Sequence, residues 1–293
     1  MKCNTCPRKC NIDRSKLKGF CNAKSKVTLA LCNLHYSEEP IISGTNGSGT
    51  VFFSGCNLRC VYCQNFDVSR NKIGKEVSIK RLAEIFKELE DKGAHNINLV
   101  TPTHYANQII KALKIYKPKI PIVYNTNGYE SVETLKKLAP YVDIYLTDFK
   151  YYDNNLSFRL SNAKDYLEVA TSALKQMILN QPKNIIENGL MKKGVIVRHL
   201  VLPNHSDDSI KVLDHLNNTF GNNLLLSLMS QYVVMNLSDE YNDIKRVLKP
   251  IEYKRVLFHG QRLGFDGFMQ ELSSSNTKYI PNFNLDGVKK IKE

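Results

Sequence analysis

Apolar residues recur along this chain in two alternating rhythms. Short, nearly unbroken apolar and β-branched runs near residues 50–55, 96–101, 121–125, 142–148, 194–201 and 223–229 predict strands. Segments with helical spacing lie between them. In the clearest, Leu82, Ile85, Phe86 and Leu89 fall at i, i+3, i+4 and i+7, with Ser78 placed as the N-terminal cap and Gly93 as the stop. Repeated strand–helix units predict an α/β fold with a parallel sheet, and the run 194–203 is apolar enough for a strand buried on both faces.

Composition adds scale and setting. At 293 residues the chain can bury a sizeable core, as one large α/β domain or two small ones. Lys and Arg outnumber Asp and Glu 41 to 28, a net charge of +13 that suits acidic partners and equally describes a solvated lysine-rich surface. The start, Met1-Lys2-Cys3-Asn4-Thr5-Cys6-Pro7-Arg8, lacks the apolar core of a signal peptide, and no stretch approaches a membrane span, so a cytoplasmic location is expected. All eight cysteines fall within the first 63 residues, a clustering that favours metal over disulfides.

The spacing Cys56-x3-Cys60-x2-Cys63 suits three ligands of a four-iron cluster that leave one iron open. A structural zinc knuckle would need a fourth close ligand, and three unrelated buried thiols would need no spacing at all. With Tyr62 before the last cysteine and Gly55 and Gln64-Asn65 flanking, this loop resembles the radical S-adenosylmethionine (SAM) superfamily, in particular the pyruvate formate-lyase activating enzymes. The resemblance implies a [4Fe-4S] cluster that chelates SAM and cleaves it reductively to a 5′-deoxyadenosyl radical, which abstracts hydrogen. It also implies a partial (β/α)6 TIM-like barrel with its site at the carboxyl ends of the strands.

Residues just past each strand are therefore the candidate SAM contacts. After the second strand, activating enzymes carry a Gly-Gly-Glu-Pro-like motif for the SAM amino group; here Thr101-Pro102-Thr103-His104 stands in that place, with Thr101 and Thr103 as acceptors. A branch of activating-enzyme homologues with a cysteine-rich N-terminus and an unsettled substrate has the same Thr-Pro-Thr. His104 is a catalytic or a structural histidine. Asn125 and Asn127, in a segment similar to the family's Thr-Asn-Gly, can donate to a carboxylate or ribose, although Asn-Gly alone is a turn signal. Asp148 and Lys150 resemble the family's Asp-x-Lys; Lys150 suits the SAM carboxylate and Asp148 an amine or glycyl peptide, against a plain ion pair. Arg198 matches an arginine near SAM and would otherwise require a buried carboxylate. His199 faces the other way, Met229-Ser230-Gln231-Tyr232 closes the sixth strand near adenine or ribose, and Tyr62 can pack near the adenine.

Three segments divide the chain: a cysteine-rich module and linker over 1–49, the partial barrel over 50–270, and a loosely packed tail over 271–293. In the first, Cys3, Cys6, Cys10 and Cys21 form a zinc site or an auxiliary iron–sulfur site, and Cys32 is a spare ligand or a plain buried thiol. His35 and Glu39 shape the mouth of the site or are simply loop polarity. The glycine-rich run 43–49 lacks a P-loop lysine and reads as a turn or linker.

Function follows in three versions. A radical SAM enzyme would abstract hydrogen from a glycine of a glycyl-radical enzyme, or from a small molecule, peptide or RNA, drawing electrons from a flavodoxin- or ferredoxin-type reductant. A zinc-dependent nucleic-acid-binding module would instead use both cysteine groups structurally, with the positive surface on nucleic acid.

Overall fold

The computed structural model describes residues 2–235, 237–270 and 281–289. Its strands are β1 (Val27–His35), β2 (Ser48–Phe53), β3 (Lys75–Val77), β4 (Ile97–Val100), β5 (Ile122–Thr126), β6 (Ile144–Asp148), β7 (Ile185–Glu187), β8 (Leu190–Leu200), β9 (Leu225–Met229) and β10 (Gly267–Met269). The order across the sheet is β10-β9-β8-β6-β5-β4-β2-β1-β3. Along this order every pairing between β2 and β10 is parallel, β7 pairs antiparallel with β8 off the path, and the six expected strands are β2, β4, β5, β6, β8 and β9. With β10 at one end and β3 at the other, the sheet is a partial barrel and not a closed one.

The helices are α1 (Pro40–Ser43), α2 (Phe66–Ser69), α3 (Ile79–Asp91), α4 (Ala106–Ile115), α5 (Val132–Leu138), α6 (Asn154–Ser161), α7 (Tyr166–Asn180), α8 (Ser206–Phe220) and α9 (Pro250–Leu263). In α3 the Ser78 side chain accepts from the Arg81 amide at 3.0 Å, as the pattern predicts, and Leu82, Ile85, Phe86 and Leu89 are all buried. Burying each such side chain contributes about 1.5–3 kcal/mol. The helical layer and the alternate strand residues Tyr124, Tyr145, Val195 and Val197 form the largest apolar cluster. On the opposite, concave face, Ile42 of α1 packs on Val123, Ile144, Leu146 and Ile196. A short helix before the first parallel strand thus plugs the open barrel and leaves the carboxyl ends of the strands free for a site.

The antiparallel edge formed by β1 and β3 was not among the expected strands. In β1, residues 29–32 are all buried, because one face meets α3 and the other a smaller cluster with Phe52 and Val68. Its apolar pattern therefore has no clean period of two. Residues 281–289, assigned from sequence to a loose tail, lie against this strand: the Leu285 amide donates to Ala30 at 3.1 Å and the Asp286 carbonyl accepts from Cys32 at 2.9 Å. Buried Arg81 donates to the carbonyls of Gly287, Val288 and Lys289. The serine-rich stretch 273–276 lies outside the described residues. Among the described residues no helix is long and apolar enough to cross a membrane.

Candidate active site

The loop that leaves β2 turns at Gly55, whose φ of +92° places it in the left-handed region. A Cβ there would meet the Cys21 carbonyl at 2.5 Å, so only glycine lets the loop pass this close to the N-terminal segment. The loop then carries Cys56, Cys60 and Cys63 to the wall of one cavity of about 620 Å³ at the carboxyl ends of the parallel strands. That volume is typical of a small-molecule site.

Each thiol receives a hydrogen bond. Cys56 Sγ accepts from the Leu58 amide at 3.4 Å and from Asn127 Nδ2 at 3.3 Å, and Cys60 Sγ accepts from Ser161 Oγ at 3.0 Å. Cys63 takes the Asn65 amide, and the Ser69 hydroxyl, which donates to the Phe66 carbonyl at 2.8 Å, lies beside it. Burial, with Cys60 and Cys63 nearby, pushes the Cys56 thiol up to about 12, and burial with Cys60 beside it also raises Cys63. Three half-buried sulfurs on one loop, each supplied with donors and two of them held protonated by burial, fit a set whose thiolate forms iron would stabilise, so the residues match the cluster that the spacing suggests.

The second cysteine group shares this construction. Cys6 accepts from the amide of Arg8 and Cys21 from that of Ala23, the same two-residue step as in Cys56–Leu58. Cys10 and Cys21 sulfurs both lie 3.5 Å from the place a Cβ on Gly19 would take. Burial raises the thiols of Cys6, to about 12, and of Cys21, and the neighbouring cysteines add to both shifts. Among the described residues no three His, Cys, Asp or Glu side chains are gathered to single-ion spacing. Cys32 stands apart, fully buried in β1 beneath Gly287. The module grips the cluster loop through the Cys56 amide on the Cys21 carbonyl at 3.2 Å and Arg8 Nε on the Asn57 carbonyl at 2.9 Å.

Facing the thiols, Asp148 and Lys150 leave the end of β6 as a pair 2.6 Å apart, both lining the cavity. Burial alone would lower the Lys150 ammonium, but Asp148, Cys60 and Tyr166 together outweigh it and hold it well above its usual range. Thr101 and Asn125 also line the cavity; Thr101 has a φ of +57° and donates its amide to the Asn125 carbonyl at 2.9 Å. Tyr62 closes one wall, its hydroxyl 2.5 Å from that of Tyr151, and Tyr151 in turn stands 2.6 Å from Ser161 Oγ. Met229 and Gln231 reach the cavity from β9, with Gln64 Nε2 donating to the Gln231 carbonyl at 2.7 Å.

Other candidates have different surroundings. Arg198 meets the buried carboxylates required for an arginine in an apolar strand: it pairs with Glu39, Nε to Oε1 at 2.7 Å, and with Glu38. Burial opposes both charges, yet the pairing keeps Arg198 charged and lowers Glu39. Glu38 also accepts from Asn98 Nδ2 at 3.0 Å, and with His35 it lines the cavity. Asn127 spends its amide on Cys56 and on Asn57 Oδ1, at 2.8 Å, and so supports the cluster loop. Thr103 is fully buried and donates to Glu130. His104 is buried with Nε2 on the Ser54 carbonyl at 2.8 Å; burial drives its pKa down to about 3, a neutral structural ring behind the loop. Likewise His199 is buried against the Phe149 carbonyl, lowered to about 4, and Tyr232 donates to the Ile244 carbonyl.

Sequence reasoning passed over Glu130 and Ser161. Glu130 lies beneath the Thr101–Thr103 turn, bonded by the hydroxyls of Thr103, Thr126 and Tyr124, and burial lifts its carboxyl to about 7. Neither residue belongs to a local motif, so only tertiary proximity reveals it.

The radical SAM superfamily model matches residues 50–216. An uncharacterized protein of Methanocaldococcus jannaschii is 33% identical over 276 residues, covering 90% of this chain and 75% of its own length. The pyruvate formate-lyase-activating enzyme of Clostridium pasteurianum is 28% identical over 125 residues, 39% of this chain and 50% of that enzyme. Among solved structures, native anSMEcpe with bound AdoMet shares the fold at a TM-score of 0.50 and 16% identity, with 74% of this chain and 61% of that one covered. In three further solved structures the chain spans 46–48% of the length. The family match covers more than half of the chain and carries all three loop cysteines: this protein belongs to the radical SAM superfamily.

Proposed function

We propose that this enzyme holds a [4Fe-4S] cluster on Cys56, Cys60 and Cys63, binds SAM in the adjoining cavity, and uses the resulting 5′-deoxyadenosyl radical to abstract hydrogen. The observation that carries this reading is the convergence of the three thiols on a single cavity that Asp148, Lys150, Asn125 and Thr101 also line. When bound, the cluster supplies the electron that cleaves the SAM sulfonium bond. The protein's part is to position. Lys150 and Asp148 exchange their mutual pair for the carboxylate and ammonium of the ligand, and Asn125 and Thr101 add polar contacts. Tyr62 offers an apolar face to the adenine. Arg198, already engaged by two carboxylates, orders the cavity floor. Cys3, Cys6, Cys10 and Cys21 hold zinc or a second iron–sulfur cluster.

The hydrogen donor in this reading is a glycine of a partner glycyl-radical enzyme, supported by the partial likeness to an activating enzyme. A small-molecule or peptide donor is favoured by a different observation, the polar floor of Glu38, Glu39 and Arg198 within the cavity. Membership in an enzyme superfamily leaves no support for a purely zinc-dependent nucleic-acid-binding module. The test is anaerobic reconstitution, iron and sulfide analysis, and incubation of the reduced protein with SAM. Release of 5′-deoxyadenosine is expected; its absence with an intact reduced cluster would refute the radical reading.

A further inference from the structure

Cys56 is reached from two sides. Besides the main cavity, it stands at the inner end of a separate surface cleft of about 460 Å³ whose walls are Phe20, Arg59, Phe66, Arg70 and Lys72. We propose that this cleft is the docking surface for an acidic one-electron carrier protein of the flavodoxin class, with Cys56 as the point of electron entry. The proposal rests on the cluster assignment above.

Charge and shape both argue for such a partner. Among the described residues, Arg59, Arg70 and Lys72 line the cleft with no carboxylate between them, Arg8 stacks 3.9 Å over Phe20, and Asp67, outside the lining, pairs with Lys72 at 3.3 Å. Arg59 and Lys72 are exposed at the rim and Arg70 is half-buried. A positive rim accelerates encounter with an acidic surface and makes it sensitive to salt. The aromatic rings are held ready by the same cations: Arg59 lies 4.3 Å above Phe20, and Phe66 is flanked by Arg70 at 5.0 Å and Lys72 at 4.8 Å. Rings fixed in this way give a partner a rigid apolar contact at low entropic cost. The cleft is also tied to the thiol loop, since Arg70 donates to the carbonyls of Leu58 and Cys60. A nucleic acid would meet the same charges, but nothing in its recognition would need a cluster thiol at the inner end. Separation from the SAM cavity lets reduction proceed while that cavity is filled. In the transfer one electron leaves the reduced carrier, which is oxidised by one electron, and enters the cluster; no bond is made or broken.

The test compares two reductants on the reconstituted full-length enzyme, wild type and Lys72→Glu and Arg59→Glu variants. Cluster reduction is followed by electron paramagnetic resonance with reduced flavodoxin or with dithionite, and flavodoxin binding is measured by calorimetry at low and high salt. Reduction by flavodoxin is expected to slow by about tenfold in each variant and binding to weaken in parallel, while Lys72→Glu leaves reduction by dithionite unchanged. Equal rates with flavodoxin in all three proteins would overturn the proposal. So would a single-stranded RNA oligonucleotide that binds wild type but neither variant, in the absence of flavodoxin binding. Failure of dithionite to reduce wild type would instead count against the cluster assignment itself.

Discussion

Ser161 donates a 3.0 Å hydrogen bond to the sulfur of Cys60 across 101 residues of sequence. It comes from the end of α6, and behind it stand Tyr151 and Tyr62, hydroxyl to hydroxyl. Both tyrosines are buried and raised far above their usual range, so they remain protonated donors. Hydrogen bonds to cluster sulfurs favour the reduced, more negative state. Ser161→Ala should therefore lower the cluster potential by on the order of 50 mV, the scale of about 1 kcal/mol for one electron. Ser161→Thr should restore it. A redox titration in which both variants match wild type would deny the bond any influence.

Removing the guanidinium of Arg198 strands two buried carboxylates. Arg198→Met should cost about 3–5 kcal/mol of stability, as breaking a buried ion pair does. Thermal unfolding would register a clear drop in midpoint. Adding Glu39→Gln should recover part of that loss, and a pair of variants with independent effects would contradict the pairing.

Glu130 sets a pH dependence of known sign. Its folded-state pKa, about 7, lies above the 4.5 of a glutamate carboxyl in the unfolded chain. Its contribution is fully present below the unfolded value and is lost as pH rises through 7. Glu130→Gln should remove that loss, worth on the order of 3 kcal/mol across this window. Denaturant titrations at pH 5 and pH 8 compare the two; parallel pH profiles would show that the carboxyl titrates normally.

The N-terminal cysteines should behave as one site. Cys10→Ser with Cys21→Ser should lose the metal of that site and loosen the clasp that the Cys21 carbonyl makes on Cys56. Elemental analysis of metal per chain gives the answer, and an unchanged content would argue against any metal there.

What could be read from sequence was local. The parallel strands and α3 are written in apolar periodicity, and the cysteine loop in spacing, both of which survive without tertiary knowledge. The contacts that tune the site are not local: Thr103 meets Glu130 over 27 residues, Cys60 meets Ser161 over 101, and Arg198 meets Glu38 over 160. Thus Arg198 reads as an arginine near SAM, with a buried carboxylate as the alternative; the structure pairs it with Glu38 and Glu39, partners that no local pattern identifies. Asn127 was legible as a polar residue after β5, but its partner turned out to be a cysteine sulfur. Strand β1 was missed because burial on both faces erases alternation.

The segment around Leu285 and Asp286 has a bearing on how the molecule behaves in company. An outer strand offers unpaired amides and carbonyls to any other chain, and β3 covers only the Val27–Leu29 part of β1. The returning chain engages Ala30 and Cys32, and Arg81 fastens it by three carbonyls. The part of β1 that β3 leaves open is thereby covered by residues 285–286 of the same chain, which guards against edge-to-edge association there while the carboxyl ends of the parallel strands stay free to line the cavity.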